Sequence, residues 1–227
     1  MDGSFKLSDY KISMLDKLGQ GTFGVVYRGS HITKGFEVAA KQCELKTEKH
    51  GPVAMTEIKH FQYLQKHPHI VKLHDFDYKI NSFWIIMEFC DVGDLEWYYY
   101  EKTPDINETK DIMFQCASAV HFMHSRTKPA VHRDIKPQNI LMTMCNGKAI
   151  VKLTDFGLAK TVEIQDPAKT LMFRSKVGTP GFMAPEFYSD PTNTWGKPVD
   201  VFALGLVFLA MILHKPGDRS LVPPTGQ

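Results

Sequence analysis

Little in this chain of 227 residues is extreme. Cysteine is scarce: Cys43, Cys90, Cys116 and Cys145 stand far apart, with no CxxC and no Cys/His metal spacing. A disulfide framework and a zinc site are therefore not indicated. Charge of one sign is missing too, with 27 Lys and Arg against 25 Asp and Glu and no stretch that concentrates the basic ones. That gives no support to nucleic-acid or membrane-surface binding. The longest apolar run, Val201 to Leu213, falls well short of the about 20 residues a bilayer needs and reads as a buried helix. The amino terminus, MDGSFKLSDYK, is too polar for a secretory h-region. Internal repeats and low-complexity segments are also lacking. The expectation is an intracellular protein of cytoplasm or nucleus, with no membrane or nucleic-acid partner and an open oligomeric state. Its 43% hydrophobic residues suffice for a sizeable core, and its length fits one large domain or two modest ones.

The first ninety residues read mostly as short strands. A Gly-rich turn sits between extended segments from Lys17 to Arg28, and Phe36 to Cys43 forms the next strand across a turn at Lys34-Gly35. One helix interrupts them from about Val53 to Gln65, with Met55, Ile58, Phe61 and Leu64 on its inward face. Pro68 lies beyond its end. Ile70 to Phe76 and Phe83 to Phe89 are further strands. After Gly93 the character turns helical, with Glu108 to His124 carrying apolar residues at helical spacing. Ile140–Leu141 and Ile150–Leu153 read as short strands, and Thr161 to Pro185 shows no clear period. Strands first and helices later argue for an α+β architecture.

Chemistry begins at Gly19-Gln20-Gly21-Thr22-Phe23-Gly24. Glycines let backbone amides approach phosphate oxygens without a Cβ in the way. The same wording marks dinucleotide-binding folds, but there the loop opens a helix. Here it runs into Val25-Val26-Tyr27, which favours a hairpin flap over a nucleotide. Next comes Val38-Ala39-Ala40-Lys41. A Lys in a half-buried strand wants a paired charge, and Glu57 on the following helix is available.

Then come His132-Arg133-Asp134-Ile135-Lys136-Pro137-Gln138-Asn139, Asp155-Phe156-Gly157 and Ala184-Pro185-Glu186. In order and interval, from Leu18 to at least Gly205, these resemble the eukaryotic protein-kinase family. The resemblance implies a bilobal α+β fold: a β-rich N-lobe over 1–89, then a hinge and a partial helical C-lobe over 90–227. It also implies ATP, Mg²⁺ and a protein substrate. Gly19, Gly21 and Gly24 would cover the ATP phosphates, and Lys41, held by Glu57, would contact them. Asn139 and Asp155 would ligate Mg²⁺. Asp134 would orient the substrate hydroxyl and take its proton, and Lys136 would neutralise charge on the transferred group. Met87 matches the gatekeeper; the Glu88 carbonyl and Cys90 N–H would meet the adenine edge. Val26, Ala39 and Leu141 would sandwich that ring, and Asp94 would bond the ribose. Leu73, Phe61, Phe156 and His132 would form an apolar column.

Lys136 and the Gly178-Thr179-Pro180-Gly181-Phe182 segment resemble the serine/threonine branch, with Thr179 bonded to Asp134 and Lys136. Cys90-Asp91-Val92-Gly93-Asp94-Leu95 and Asp200-Val201-Phe202-Ala203-Leu204-Gly205 resemble the CLIK-type kinases, and NIMA-related kinases share some of this wording. Asp200 would brace the backbone at His132-Arg133. Arg133 beside Asp134 suits activation-loop phosphorylation, with Ser175 the first candidate site and Thr170 the second. Gln138 replaces an acid often found in basic-directed kinases. The family normally continues with further helices after the one at Val201–Leu213. The chain therefore reads as a truncated kinase, with Glu186 expected to be a poorly compensated buried carboxylate and the last helix to expose apolar area. The alternative function is a non-catalytic kinase-fold scaffold or an inactive fragment.

Overall fold

The computed structural model describes residues 3–21, 24–44, 50–79, 82–161, 177–189 and 196–214. By their contacts the residues divide into two compact units, one of 1–66 and 71–90 and the other of 67–70 and 91–227. Beside the division at 89/90 expected from sequence, Cys90 packs with the first unit and His67–Ile70 with the second.

In the first unit, strands β1 (Ser4–Leu7), β2 (Tyr10–Gly21), β3 (Gly24–His31), β4 (Glu37–Glu44), β5 (Leu73–Lys79) and β6 (Ser82–Glu88) form a sheet in the order β1-β2-β3-β4-β6-β5. All its neighbours run antiparallel. Alternation along a strand sends successive side chains to opposite faces. One face buries Leu7, Tyr10, Ile12, Val38, Ala40, Trp84 and Ile86 as a single cluster. Phe5 packs edge-on against Trp84 at 5.1 Å between ring centroids. Helix α1 (His50–Leu64) contacts β4, β5 and β6, and its Ile58, Phe61 and Leu64 are buried as their spacing requires. The β3–β4 turn closes at Gly35, whose φ of +73° is a glycine conformation and whose N–H reaches the His31 carbonyl at 2.9 Å.

The second unit is built on two helices, α3 (Ile106–Ser125) and α5 (Pro198–Leu213), which pack together. Ile112, Cys116, Ala119, Val120 and Met123 are buried along α3. Asp105 caps its start by accepting the N–H groups of Asn107 and Glu108. A hairpin of β9 (Ile140–Cys145) and β10 (Lys148–Leu153) lies on α3, extended by the short β7 (Gly93–Asp94). Gln115 of α3 stitches helix to strand, donating to the Ala149 carbonyl at 3.0 Å and accepting the Val151 N–H at 2.8 Å. Strands β8 (Ala130–Val131) and β11 (Lys160–Thr161) pair with each other. Helix α2 (Leu95–Lys102) and the short α4 (Glu186–Ser189) complete the described elements. None of the described helices is long and apolar enough to cross a membrane.

Candidate active site

In the first unit, register decides which candidates share a face. Val26 pairs with Lys41 and with Gly19, Lys41 pairs with Ile85, and Ala39 pairs with Met87. Residues directly opposite in an antiparallel ladder point the same way, and Ala39 and Lys41 are two apart. Gly19, Val26, Ala39, Lys41 and Met87 therefore lie on the face opposite to the Val38–Ala40–Trp84 cluster. Lys41 is only 7% exposed and is engaged within the fold. The Glu57 side chain lies outside the described residues.

The glycines are not equivalent. Gly24 has φ +147°, and a Cβ there would sit 2.0 Å from the Gln42 carbonyl oxygen, so the sheet itself requires this glycine. At Gly19 and Gly21 a Cβ would meet nothing within 4 Å among the described residues. Neither packing against those residues nor dihedral angle demands glycine at these two positions. At the end of β6, the Glu88 N–H donates to the Lys72 carbonyl at 2.9 Å, and a Glu88 carboxylate oxygen accepts the Lys72 N–H at 3.1 Å. Cys90 follows, buried.

In the second unit the loop His132–Asn139 leaves β8 and closes in a 3-10 turn at Pro137–Asn139 before β9. Its anchor is Asp200 at the start of α5, 1% exposed. One Asp200 oxygen accepts the His132 N–H and the other the Arg133 N–H, both at 2.8 Å. His124 Nε2 meets the same carboxylate at 2.8 Å. These bonds hold Arg133 at φ +70°, a strained setting for a non-glycine residue. Burial lowers the Arg133 guanidinium pKa, and Asp200 works against that shift. Arg133 Nε donates to the Leu158 carbonyl at 2.7 Å.

Asp134 is 8% exposed and wrapped in donors. Its Oδ1 accepts the Thr179 hydroxyl at 2.6 Å, and its Oδ2 accepts Asn139 Nδ2 at 3.0 Å and faces Lys136 Nζ at 3.2 Å. Lys136 Nζ also donates to Thr179 Oγ1 at 2.8 Å, closing a triangle around the carboxylate. Asn139 Nδ2 makes a second bond to the Asp134 carbonyl at 2.8 Å. Its nitrogen is thus committed, and its carboxamide oxygen is the remaining ligand atom. Asp155, at φ +63°, adds a carboxylate. Two hard oxygen donors of this kind fit Mg²⁺. Among the described residues no group of three or more His, Cys, Asp or Glu side chains forms a metal cluster.

Behind Asp155, Phe156 is fully buried against His132, with ring centroids 5.2 Å apart. His132 Nε2 donates to the Thr154 carbonyl at 2.9 Å. Leu141 is half-buried and pairs with Asp94 across β7 and β9. Asp94 also caps α2, its Oδ1 accepting the Trp97 N–H at 2.8 Å. Burial raises its carboxyl pKa, Glu96 adds to the rise, and the Trp97 N–H opposes it.

Several residues escaped the sequence reading. Helix α2 falls in the stretch whose character turns helical after Gly93, and the Asp94 cap is the helix-start signal that sets its first residue. Gln138 donates to Glu96 at 2.8 Å, tying α2 to the His132–Asn139 loop. His124 as a third partner of Asp200 carried no sequence signal. Glu186 is corrected: it is half-buried and engaged within the fold, not a buried uncompensated carboxylate. The last helix does expose apolar side chains, Val201 at 59% and Ile212 at 62%. Ser175 and Thr170 lie outside the described residues.

The fold and these two sets of residues define a protein kinase domain. The family model described as protein kinase domain matches residues 12–218, and the chain belongs to that family. Protein kinase domains generally use ATP and Mg²⁺ and phosphorylate proteins.

Proposed function

We propose that this chain transfers the γ-phosphoryl group of ATP to serine and threonine hydroxyls of protein substrates, with residues 1–89 acting as the N-lobe and 90–227 as the C-lobe. Phosphoryl transfer asks the protein mainly for positioning and charge neutralisation. Asp134 accepts the hydroxyl proton, and the Thr179 hydroxyl and Asn139 amide fix its rotamer for that task. Lys136 neutralises charge on the transferred group. Lys41, with Glu57, holds the α- and β-phosphates beneath the backbone of Gly19, Gly21 and Gly24. Asn139 and Asp155 hold magnesium, which when bound neutralises the phosphate oxygens. Val26, Ala39 and Leu141 sandwich the adenine beside Met87, while the Glu88 carbonyl and Cys90 N–H read its edge and Asp94 the ribose.

The observation that carries this reading is the closed triangle of Thr179, Lys136 and Asp134, which also supports the serine/threonine assignment. The Cys90–Leu95 and Asp200–Gly205 wording supports a CLIK-type kinase. Phosphorylation of Ser175, or secondarily Thr170, would raise activity. The test is transfer of labelled phosphate from ATP to a generic protein, followed by phosphoamino-acid analysis. Label on serine and threonine that disappears in Asp155→Asn supports the proposal. Equal label in the variant, or label on tyrosine, contradicts it.

A further inference from the structure

Four residues, His67–Ile70, leave the first unit and pack within the second. The chain enters this segment soon after α1 ends at Leu64 and leaves it into β5 at Leu73. What fastens it is specific. The His69 carbonyl accepts the Leu153 N–H at 2.9 Å, and Ile70 forms a parallel bridge with Leu153. The other fastenings are two imidazoles whose ring centroids lie 5.5 Å apart.

Their partners fix where the protons are. His69 Nδ1 faces the Val151 carbonyl at 3.3 Å. A carbonyl only accepts, so His69 carries its proton on Nδ1. His67 Nδ1 faces the His69 backbone N–H at 3.3 Å. A backbone N–H only donates, so this nitrogen holds a lone pair, and the His67 proton sits on Nε2, donating to Ser118 Oγ at 3.2 Å. The consequences of a second proton differ. On His69 it goes to Nε2 and leaves the Val151 bond intact. On His67 it goes to Nδ1 and destroys the acceptor of the His69 N–H, setting two donors face to face.

The surroundings give such a cation little help. On the α3 side His67 packs on the Phe122 ring at 4.8 Å, and that ring also carries the Arg126 guanidinium at 4.8 Å. On the β10 side Lys152 repels a charge at His69, with Asp111 of α3 opposing it. Burial and the neighbouring His69 lower the His67 pKa from its ordinary 6.5. Burial does the same at His69.

We propose that His67 is a pH-sensitive brace of residues 67–70: neutral, it accepts the His69 N–H within the segment while donating to Ser118 of α3, and a second proton removes the first of these bonds and weakens the segment. A base whose pKa is lower in the folded state favours folding fully above its unfolded value. That contribution is lost as pH falls below about 6.5 toward the lowered folded value.

The test compares urea midpoints of wild type and His67→Asn at about pH 7.5 and pH 5.5. An Asn side-chain oxygen accepts the N–H two residues on and does not titrate in this range. Wild type should lose more of its urea midpoint than His67→Asn between these pH values; equal losses overturn the proposal. In wild type itself, the His67 ring signal followed by NMR should titrate below the histidines of the urea-unfolded chain. A midpoint at or above theirs overturns the proposal even if the variant fails to fold.

Discussion

Thr179 Oγ1 donates to Asp134 Oδ1 at 2.6 Å while accepting from Lys136 Nζ at 2.8 Å. One hydroxyl therefore links the carboxylate to the cation and sets the angle of both. Its methyl group is not needed for either bond, so the role belongs to the oxygen alone.

Thr179→Val keeps the shape and removes the hydroxyl. A hydrogen bond to a charged group contributes about 1.5–3 kcal/mol. If that contribution is expressed in the transition state, kcat falls about 10- to 100-fold. KM for ATP should stay within about twofold, because the hydroxyl bonds Asp134, the proposed base. Thr179→Ser should restore most of kcat. Steady-state kinetics on a protein substrate decides; a Ser variant as slow as the Val variant contradicts the role given to the hydroxyl.

Gly24→Ala and Gly21→Ala should separate folding from binding. At Gly24 the new methyl would collide with the Gln42 carbonyl oxygen in the adjacent strand, at a backbone angle that L-residues rarely adopt. Its melting temperature should fall by several degrees, about 2–4 °C for each kcal/mol lost. At Gly21 the methyl meets open space, so melting should stay within about 2 °C of wild type while KM for ATP rises. An unchanged KM for Gly21→Ala would remove the glycine flap from the nucleotide site.

Asp200 serves stability and geometry together. Asp200→Ala strands the buried N–H groups of His132 and Arg133 and the His124 ring, at a cost of about 3–5 kcal/mol. Thermal unfolding should shift down by about 10 °C. A variant that melts like wild type would show that other contacts hold the His132–Arg133 backbone.

Asp94 gives a pH-dependent case. Its pKa is raised, chiefly by burial, so the charged form destabilises the fold above the folded pKa and the penalty fades as pH falls through it. Asparagine is an equally good helix cap without the charge. Asp94→Asn should therefore match or exceed wild-type melting at pH 7, and lose that advantage as pH falls through the raised pKa of Asp94. A variant less stable than wild type at neutral pH would contradict this, and would mean that the carboxylate charge itself supports α2.

Much of this was legible before any coordinates. The apolar period of α1 and α3 marked their buried faces, because a helix packed on a sheet or hairpin needs one apolar stripe. Lys41 was notable as a charge in an apolar strand, and the kinase resemblance placed Thr179 against Asp134 and Lys136, whereas the Asn139–Asp134 bonds within the loop had no sequence signal. What was not legible lies in long-range pairing. Nothing local in His124 points to Asp200, and nothing in Gln138 points to Glu96. The helical character after Gly93 was legible, whereas the start of α2 rests on the Asp94 cap and the burial of Leu95, Tyr98 and Tyr99. The Glu186 expectation failed because burial depends on neighbours in space, which spacing along the chain does not give.

The central claim is that Asp134 is the proton acceptor in phosphoryl transfer. The measurement is kcat for Asp134→Asn against wild type on a serine-containing protein substrate, with ATP affinity measured in parallel. The account predicts a loss of about 10²- to 10⁴-fold in kcat with ATP affinity within about twofold. Wild-type turnover in the variant would contradict it.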